Sequence, residues 1–437
     1  MRNPMACRGA ALTVAGLAVV TFAAACGSSS GSNSSSSSNS GGGSAAGPSG
    51  GTVHFAVAGA YSGLQAAVGQ PILEGAKAAA YLINQNGGVV GKKLVVDAVD
   101  TKGDPADAVT ALHQDLALNH PAALVGPASL EIHGAQPVFD QAQLPDGWNG
   151  GSAEYDHNQD KYLWRCNPSD SQEGVAMAAY AISKGYKRAA MYFTTVAASQ
   201  AFEPIIKQAY QKLGGTVVNV ENVTPGLSDY RTEVSKLIAS KPDVIFAQME
   251  PATAATTTKD FQQLGGLKVP VVGTDLMAGG DVIKAVGPAY DGQHMVMVQG
   301  SNELTGSSAQ FVSAYKKVNK HAPIAGAGYS YDCTVLFALA ATQAGSVTNT
   351  GIESNVLKVS NPPGVKVSDY ATGVKDIKAG KKINYEGVSG PLDYNQYHNV
   401  TGPWDVVKSN GDAAGDITTV ETLQPSQIQA ALNGRLK

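Results

Sequence analysis

From Thr52 onward, short β-branched runs alternate with longer stretches whose apolar residues recur at helical spacing. Val53-His54-Phe55-Ala56-Val57 predicts a strand, ending in Ala58-Gly59-Ala60-Tyr61-Ser62-Gly63. Pro71 stands where a first helical turn tolerates it; Ile72, Ala76, Ala79, Ala80 and Ile83 share one face, and Gly87-Gly88 is the stop. Lys93 to Val99 is the next strand. Asp104 before Pro105 is an N-cap signal, followed by the stripe Val109, Leu112 and Leu116. Pro121 ends that helix, and Ala122 to Val125 is a strand. Strands separated by helices predict a parallel sheet with helices on both faces.

The pattern then repeats. Asp170 with Glu173 makes a capping-box-like start, Val175, Ala179 and Ile182 follow, and Gly185 closes the helix. Ala189 to Phe193 is a strand, Glu203 to Leu213 a helix, and Gly214-Gly215 opens the strand Thr216 to Val220. A helix from Tyr230 ends near Pro242, before the strand Val244 to Ala247. The fold class expected is therefore α/β, with two doubly wound parallel-sheet lobes. Ligands of such sheets bind outside the carboxyl ends of the strands, and between two lobes those ends can face one another across a cleft.

Ahead of this alternation lie two segments of different character. Arg2 and Arg8 precede an apolar stretch from Ala10 to Phe22 and the small residues Ala23-Ala24-Ala25-Cys26-Gly27, which predicts a signal peptide over 1–25. The apolar run is shorter than the roughly 20 residues that span a bilayer. Its ending resembles a bacterial lipobox, in which the cysteine, here Cys26, is acylated; Ala23 stands where that motif usually has Leu. Residues 26–50 are almost wholly Ser, Gly, Asn and Ala and cannot bury enough apolar surface to order themselves. They predict a flexible tether with an r.m.s. reach of about 27 Å. Export with a lipid anchor to the outer face of the cytoplasmic membrane, or into the periplasm, is the localisation expected.

Composition narrows the function. With 437 residues and 43% hydrophobic residues the chain has core for two lobes. Only 15% of residues are charged and the formal net charge is -4, so nucleic acid is not an expected partner. The sequence has no H-E-x-x-H, no G-x-x-x-x-G-K-[ST] and no C-x-x-C, and its eight histidines are scattered. The G-x-S-x-G match at Gly47 to Gly51 lies in the tether, without the strand and helix that a nucleophile elbow needs. No enzyme, cofactor or metal is implied.

Several stretches resemble the branched-chain amino acid substrate-binding proteins of ABC importers, the type I periplasmic binding proteins. The most specific is LINQNGGVVGKKLVVDAVDTKGDPADAV, from Leu82 to Val109; AGAYSG at Ala58, LVGPAS at Leu124, WRCNPSD at Trp164 and VVGTD at Val271 follow in the family's order. The resemblance implies a three-crossover hinge, with one lobe of 51–165 plus 300–400 and another of 166–299 plus 401–437. It also implies closure on a small-molecule ligand, an amino acid or analogue, and delivery to an ABC permease.

The same resemblance nominates site residues. An amino acid needs hydroxyl or backbone donors for its carboxylate and an acid for its ammonium. Ser129, Gly150 and Ser152 match positions that hold the carboxylate, although the family's serine falls one place later, on Leu130; helix capping is the other role open to Ser129. Asp275 matches the acid for the ammonium and could equally cap its loop; Tyr331 matches a tyrosine lining the cleft and could equally be a core residue. Glu250 stands where the family has a tyrosine, Ala197-Ala198 where it has Tyr-Gly, and Trp148 could stack on a ligand or pack. Those departures leave a cationic or more polar ligand open: an amide, a polyamine or an aromatic acid besides an amino acid. A sensing lobe for a membrane receptor is a second reading of the same fold. Once Cys7 is removed and Cys26 acylated, Cys166 and Cys333 remain; an oxidising compartment invites a disulfide between them. Family alignment makes their proximity plausible, with two buried thiols as the alternative.

Overall fold

The computed structural model describes residues 50–62, 66–266, 268–278, 284, 286, 294–301, 308–409 and 417–433. The signal peptide, Cys26 and the tether up to residue 49 lie outside them. Strands β1 (Thr52–Gly59), β2 (Lys93–Asp100), β3 (Ala123–Val125), β4 (Asp146–Trp148) and β5 (Leu163–Arg165) form a sheet in the order β2-β1-β3-β4-β5, with every pairing parallel. Strands β6 (Arg188–Thr194), β7 (Thr216–Val223), β8 (Val244–Gln248), β9 (Val271–Gly273) and β10 (Met295–Gly300) repeat that order as β7-β6-β8-β9-β10, again parallel. A small sheet follows, of β11 (Val365–Val367), β12 (Ile383–Gly387) and β13 (Gly390–Pro391). Antiparallel β14 (Trp404–Ser409) and β15 (Ile417–Leu423) then extend the second sheet beyond β10.

Both sheets are covered on two faces, and the strands show it residue by residue. In β1, Phe55 and Val57 join one core while Ala56 and Ala58 join the core on the other side. In β6, Ala189, Met191 and Phe193 face one core, Ala190 and Tyr192 the other. Period-two alternation of apolar residues on both faces is what a parallel sheet buried by helices requires. The helices are α1 (Ala66–Gln85), α2 (Pro105–Asn119), α3 (Ile132–Gln141), α4 (Asp170–Ser183), α5 (Ala197–Lys212), α6 (Arg231–Ala239) and α7 (Pro251–Gln263). After β10 come α8 (Ser308–Asn319), α9 (Ala327–Ala344), the short α10 (Asn349–Glu353) and α11 (Val356–Ser360), α12 (Tyr370–Lys378) and, last, α13 (Pro425–Leu432). Helix α9 packs along α1 in the first lobe and is buried at every position from Ser330 to Ala341. The chain passes between the sheets three times, after Arg165, after Gly300 and before Trp404.

Local signals met three outcomes. Asp104 caps α2, its carboxylate accepting from the N–H groups of Ala106 at 2.8 Å and Asp107 at 3.1 Å. Two helices start earlier than expected: α1 begins at Ala66, so Pro71 is not in its first turn, and α5 begins at Ala197 rather than near Glu203, which leaves Pro204 inside it as well. Each proline costs its helix one N–H bond, which packing on neighbouring elements offsets. The capping box expected at Asp170 and Glu173 does not form. Ser169 is the N-cap, accepting from Ser171 N–H at 3.1 Å, and Glu173 points elsewhere. Cys166, just after β5, and Cys333, on α9, form a disulfide with Cα atoms 5.9 Å apart.

Candidate functional site

The crevice outside β1 and β3 is the first lobe's topological switch point, and that outside β6 and β8 the second's. In the first lobe Asp100 shapes the loop after β1, accepting from Tyr61 N–H at 2.9 Å and Ser62 Oγ at 2.6 Å; these bonds lower its carboxyl pKa although burial opposes them. After β3, Ser129 does not cap α3, whose N-cap is Glu131. Its Oγ accepts the Ser152 N–H at 3.2 Å, so the serines expected to hold a carboxylate are tied together across two strand-end loops. Leu130 is exposed and carries no polar group to the site.

Beneath this rim the packing is tight. Trp148 is fully buried, its ring 4.8 Å from that of Tyr155 and 4.7 Å from the Arg165 guanidinium. Of the two roles open to it, packing is the one its burial allows. Gly150 is pressed on the Trp148 indole, and Gly151 on the Asp170 carboxylate, so neither position has room for a side chain. Arg165 is itself buried; it donates to Asp156 Oδ1 at 2.8 Å and to the Ser152 carbonyl at 2.7 Å, fixing the loop that carries Gly151 and Ser152.

The facing rim is acidic. Asp170 opens α4 and its N–H donates to the Gly151 carbonyl at 2.8 Å, so the first crossover sits in the site. Glu173, one turn on, is buried and accepts the Asp275 N–H at 2.7 Å. Asp275 starts a turn of 3-10 helix after β9; it is open to solvent, as a group on the wall of a concavity is. Surrounding protein pushes its carboxyl up to about 6, against the Leu276 N–H. Asp170 is pushed up to about 7, by burial first and then by Asp275, with Arg165 pulling the other way. Burial, Asp275 and Asp170 together hold Glu173 well above the usual carboxylate range. Glu250 precedes α7 at the second switch point. Its Oε1 accepts from Thr194 Oγ1 at 2.9 Å, and its Oε2 is buried with no hydrogen-bond partner among the described residues. Among the described residues no lysine or arginine reaches Glu173, Glu250 or Asp275, and no group of three or more metal-ligating side chains is placed to hold an ion.

Tyr331 packs in the first lobe's core, 1% exposed, with its ring 4.8 Å from that of Phe311. The tyrosine nearer the acids is Tyr329. It lines a cavity of about 300 Å³ with Ser301, Phe311, Ile324, Gly326 and Ser389. Burial, then Asp405, Asp275, Asp332 and Glu173, raise its phenol, so it lies in the field of the second lobe's acids. In the sequence Asp170 and Glu173 carry only a helix-start signal, and the run Tyr329-Ser330-Tyr331 does not tell which tyrosine lies toward these acids. The arrangement offers hydroxyl and backbone donors on one side and carboxylates on the other, which complements a group that carries both charges.

The family described as periplasmic binding protein matches residues 52–415. A curated relative, a Leu/Ile/Val-binding protein homolog of Brucella melitensis, is 28% identical over 42% of this chain and 51% of its own. The chain thus spans about half the length of that relative. Among solved structures, a leucine binding protein from Thermotoga maritima superposes with a TM-score of 0.66 at 19% identity, covering 86% of this chain and 99% of its own. A solute binding protein of an ABC transporter from Rhodopseudomonas palustris, in complex with 3,4-dihydroxy benzoic acid, gives 0.63 at 18% identity, covering 86% and 98%.

Proposed function

Because the chain belongs to the periplasmic binding protein family, we propose that it is an exported, lipid-anchored solute-binding protein that closes its lobes on an amino acid or similar small polar solute and hands it to an ABC permease. The observation that carries this reading is the placing of the tied serines Ser129 and Ser152 after β3 and β4 and of Glu250 and Asp275 at the equivalent strand ends β8 and β9, with Glu173 of α4 bonded to Asp275 and Asp170 set against Gly151. In it the serines and the Gly151 backbone hold the solute's carboxylate while Asp275 holds its ammonium. Closure on the solute supplies the differential affinity that a two-state importer partner needs.

A thermal-shift screen of amino acids, amides, polyamines and aromatic acids tests it, since a ligand at a hundredfold excess over Kd stabilises by about 2.7 kcal/mol. Amino acids or other ammonium-bearing solutes should shift the melting point. A screen in which only simple carboxylic acids do so would turn the reading to a second one. The part-apolar cavity at Phe311, Ile324 and Tyr329 supports that alternative, an aromatic acid like the ligand of the Rhodopseudomonas palustris protein. The anchor is tested separately: Cys26→Ala should abolish lipid labelling, and a labelled, membrane-retained variant would refute the acylation of Cys26.

A further inference from the structure

The end of the first lobe opposite the cleft carries a basic surface where the tether joins the fold. Gly50 N–H donates to the Gly91 carbonyl at 2.9 Å and Lys93 N–H to the Gly51 carbonyl at 2.9 Å, so the chain enters the fold beside Lys92 and Lys93. The phenol of Tyr370, which opens α12, donates to the Gly88 carbonyl of the same turn at 2.8 Å, bringing that helix alongside. Lys358, Lys381 and Lys382 surround a shallow concavity with Gln343, near the carboxyl end of α9. Parallel topology puts these features at one pole: α1 and α9 end where β1 and β2 begin.

Charge there runs against the chain as a whole. Residues 358–382 hold six lysines against two aspartates, in a protein of formal net charge -4; Lys366 pairs with Glu386 outside that span, which leaves five lysines for the pole. Both aspartates are engaged: Asp369 caps α12 and Asp376 pairs with Lys381 at 2.9 Å. Lys93, Lys358, Lys375, Lys378 and Lys382 are exposed, and among the described residues no acid lies within ion-pair reach of them. Exposed aliphatic side chains are interleaved with them: Val90 beside Lys92, Leu357 beside Lys358, and Val365, whose N–H donates to the Lys382 carbonyl at 2.8 Å. Lysines mixed with exposed aliphatics, on a face whose chain leads to an anchor, suit an anionic lipid surface.

We infer that this pole docks reversibly on anionic lipid headgroups, parking the protein on its membrane with the cleft facing away from the bilayer. The inference rests on the lipid-anchor reading above. A tether with a reach of about 27 Å lets the pole touch or leave the surface, whose field at physiological salt decays over about 8 Å, so docking is reversible and salt-sensitive.

The test uses the chain from residue 26 onward with Cys26→Ser, so that only the protein surface holds it; the described residues belong to one compact unit that this chain retains. It should co-sediment with vesicles containing about one-third phosphatidylglycerol, release at about 0.5 M salt, and ignore pure phosphatidylcholine. Changing Lys375, Lys378, Lys381 and Lys382 to Gln should lower partitioning by roughly a hundredfold or more, at about 1 kcal/mol for each lysine and 1.4 kcal/mol for each decade. The same change at Lys187, Lys236, Lys241 and Lys259 of the second lobe should leave it within about twofold. No sedimentation, equal sedimentation with neutral vesicles, or a quadruple variant that partitions like the parent would overturn the inference. So would retention on dextran sulfate without vesicle binding, which would assign the surface to a soluble polyanion. A melting temperature of the quadruple variant within a few degrees of the parent's shows an intact fold, and lipid labelling of the unmutated chain reports on the anchor independently.

Discussion

After β3 the first lobe presents Ser129 and, after β4, Ser152; at the equivalent places after β8 and β9 the second lobe presents Glu250 and Asp275. The strand orders are the same, so the backbone brings these four positions to matching rims, yet one rim offers hydroxyls and peptide N–H groups and the other carboxylates. The first rim is also the braced one. Arg165 pins its loop, and the Cys166–Cys333 disulfide ties the first crossover to α9. Facing it, Asp170, Glu173 and Asp275 are held close together with their pKa values raised, an arrangement that a cationic group would relieve. Topology provides the place for a ligand; the side chains at the strand ends decide the sign of charge that each half attracts.

The largest effect expected follows from removing the acid most open to the cleft. In a closed cleft, deleting one partner of a hydrogen-bonded charge pair costs about 3 to 5 kcal/mol, mostly from the charge left unpaired. Asp275→Ala should therefore weaken binding of an ammonium-bearing ligand by roughly a hundredfold to a thousandfold or more. Asp275→Asn should lose less. Calorimetry within about threefold of wild type for the alanine variant would erase the contrast between the rims and pass the role to Glu250.

Bracing gives a second contrast. The Cys166–Cys333 bond joins the first crossover to the first lobe's core and closes a loop of 167 residues that carries β6 to β10, and such a crosslink stabilises by about 3 to 5 kcal/mol. Cys166→Ser with Cys333→Ser should lower the melting temperature, while the second lobe's hydrogen exchange should change less than the first's. Two free thiols in the denatured, unreduced protein would remove the brace.

The strand and helix alternation, the two-lobe plan and the cap at Asp104 were legible in local pattern, while the strand order, which depends on where each crossover returns, was not. Glu173 was not, because its partner lies 102 residues away, and a capping-box spacing looks the same whether or not the side chain turns back to its own helix. Trp148 ends a three-residue strand, too short for alternation to show which face is sealed by Tyr155 and Arg165. Helix α9 is buried all round over most of its length, so its apolar periodicity identifies no cleft-facing side. Composition marked the basic pole no better, since six lysines in 25 residues vanish in a net charge of -4.

Acidity should sharpen the charge contrast by a smaller factor. Asp275, pushed up to about 6, is largely ionised at pH 7.5 and mostly protonated at pH 5, so affinity for a cationic group should fall about tenfold between them. Stability of the ligand-free protein should move oppositely. Asp170, raised to about 7, keeps a proton in the folded state that the unfolded chain releases near pH 4. Its contribution is fully present below pH 4 and lost as pH rises through 7. Calorimetry and melting at the two pH values measure both; affinity that rises on acidification would place the ligand's cation away from these carboxylates.

The smallest effect separates two tyrosines. Residues two apart on a helix lie about 200° apart around its axis, so only one of Tyr329 and Tyr331 can face the cleft at the start of α9. Tyr329 does, with its hydroxyl against Gly300 and its phenol in the field of Asp275 and Glu173. A single hydrogen bond contributes about 0.5 to 1.5 kcal/mol net, so Tyr329→Phe should weaken binding by roughly twofold to tenfold with little change in melting temperature. Tyr331→Phe keeps the ring packed on Phe311 and should leave affinity within about twofold. Calorimetry on the two variants reads the difference, and a larger loss from Tyr331→Phe than from Tyr329→Phe would mean that α9 presents its other face when the lobes close.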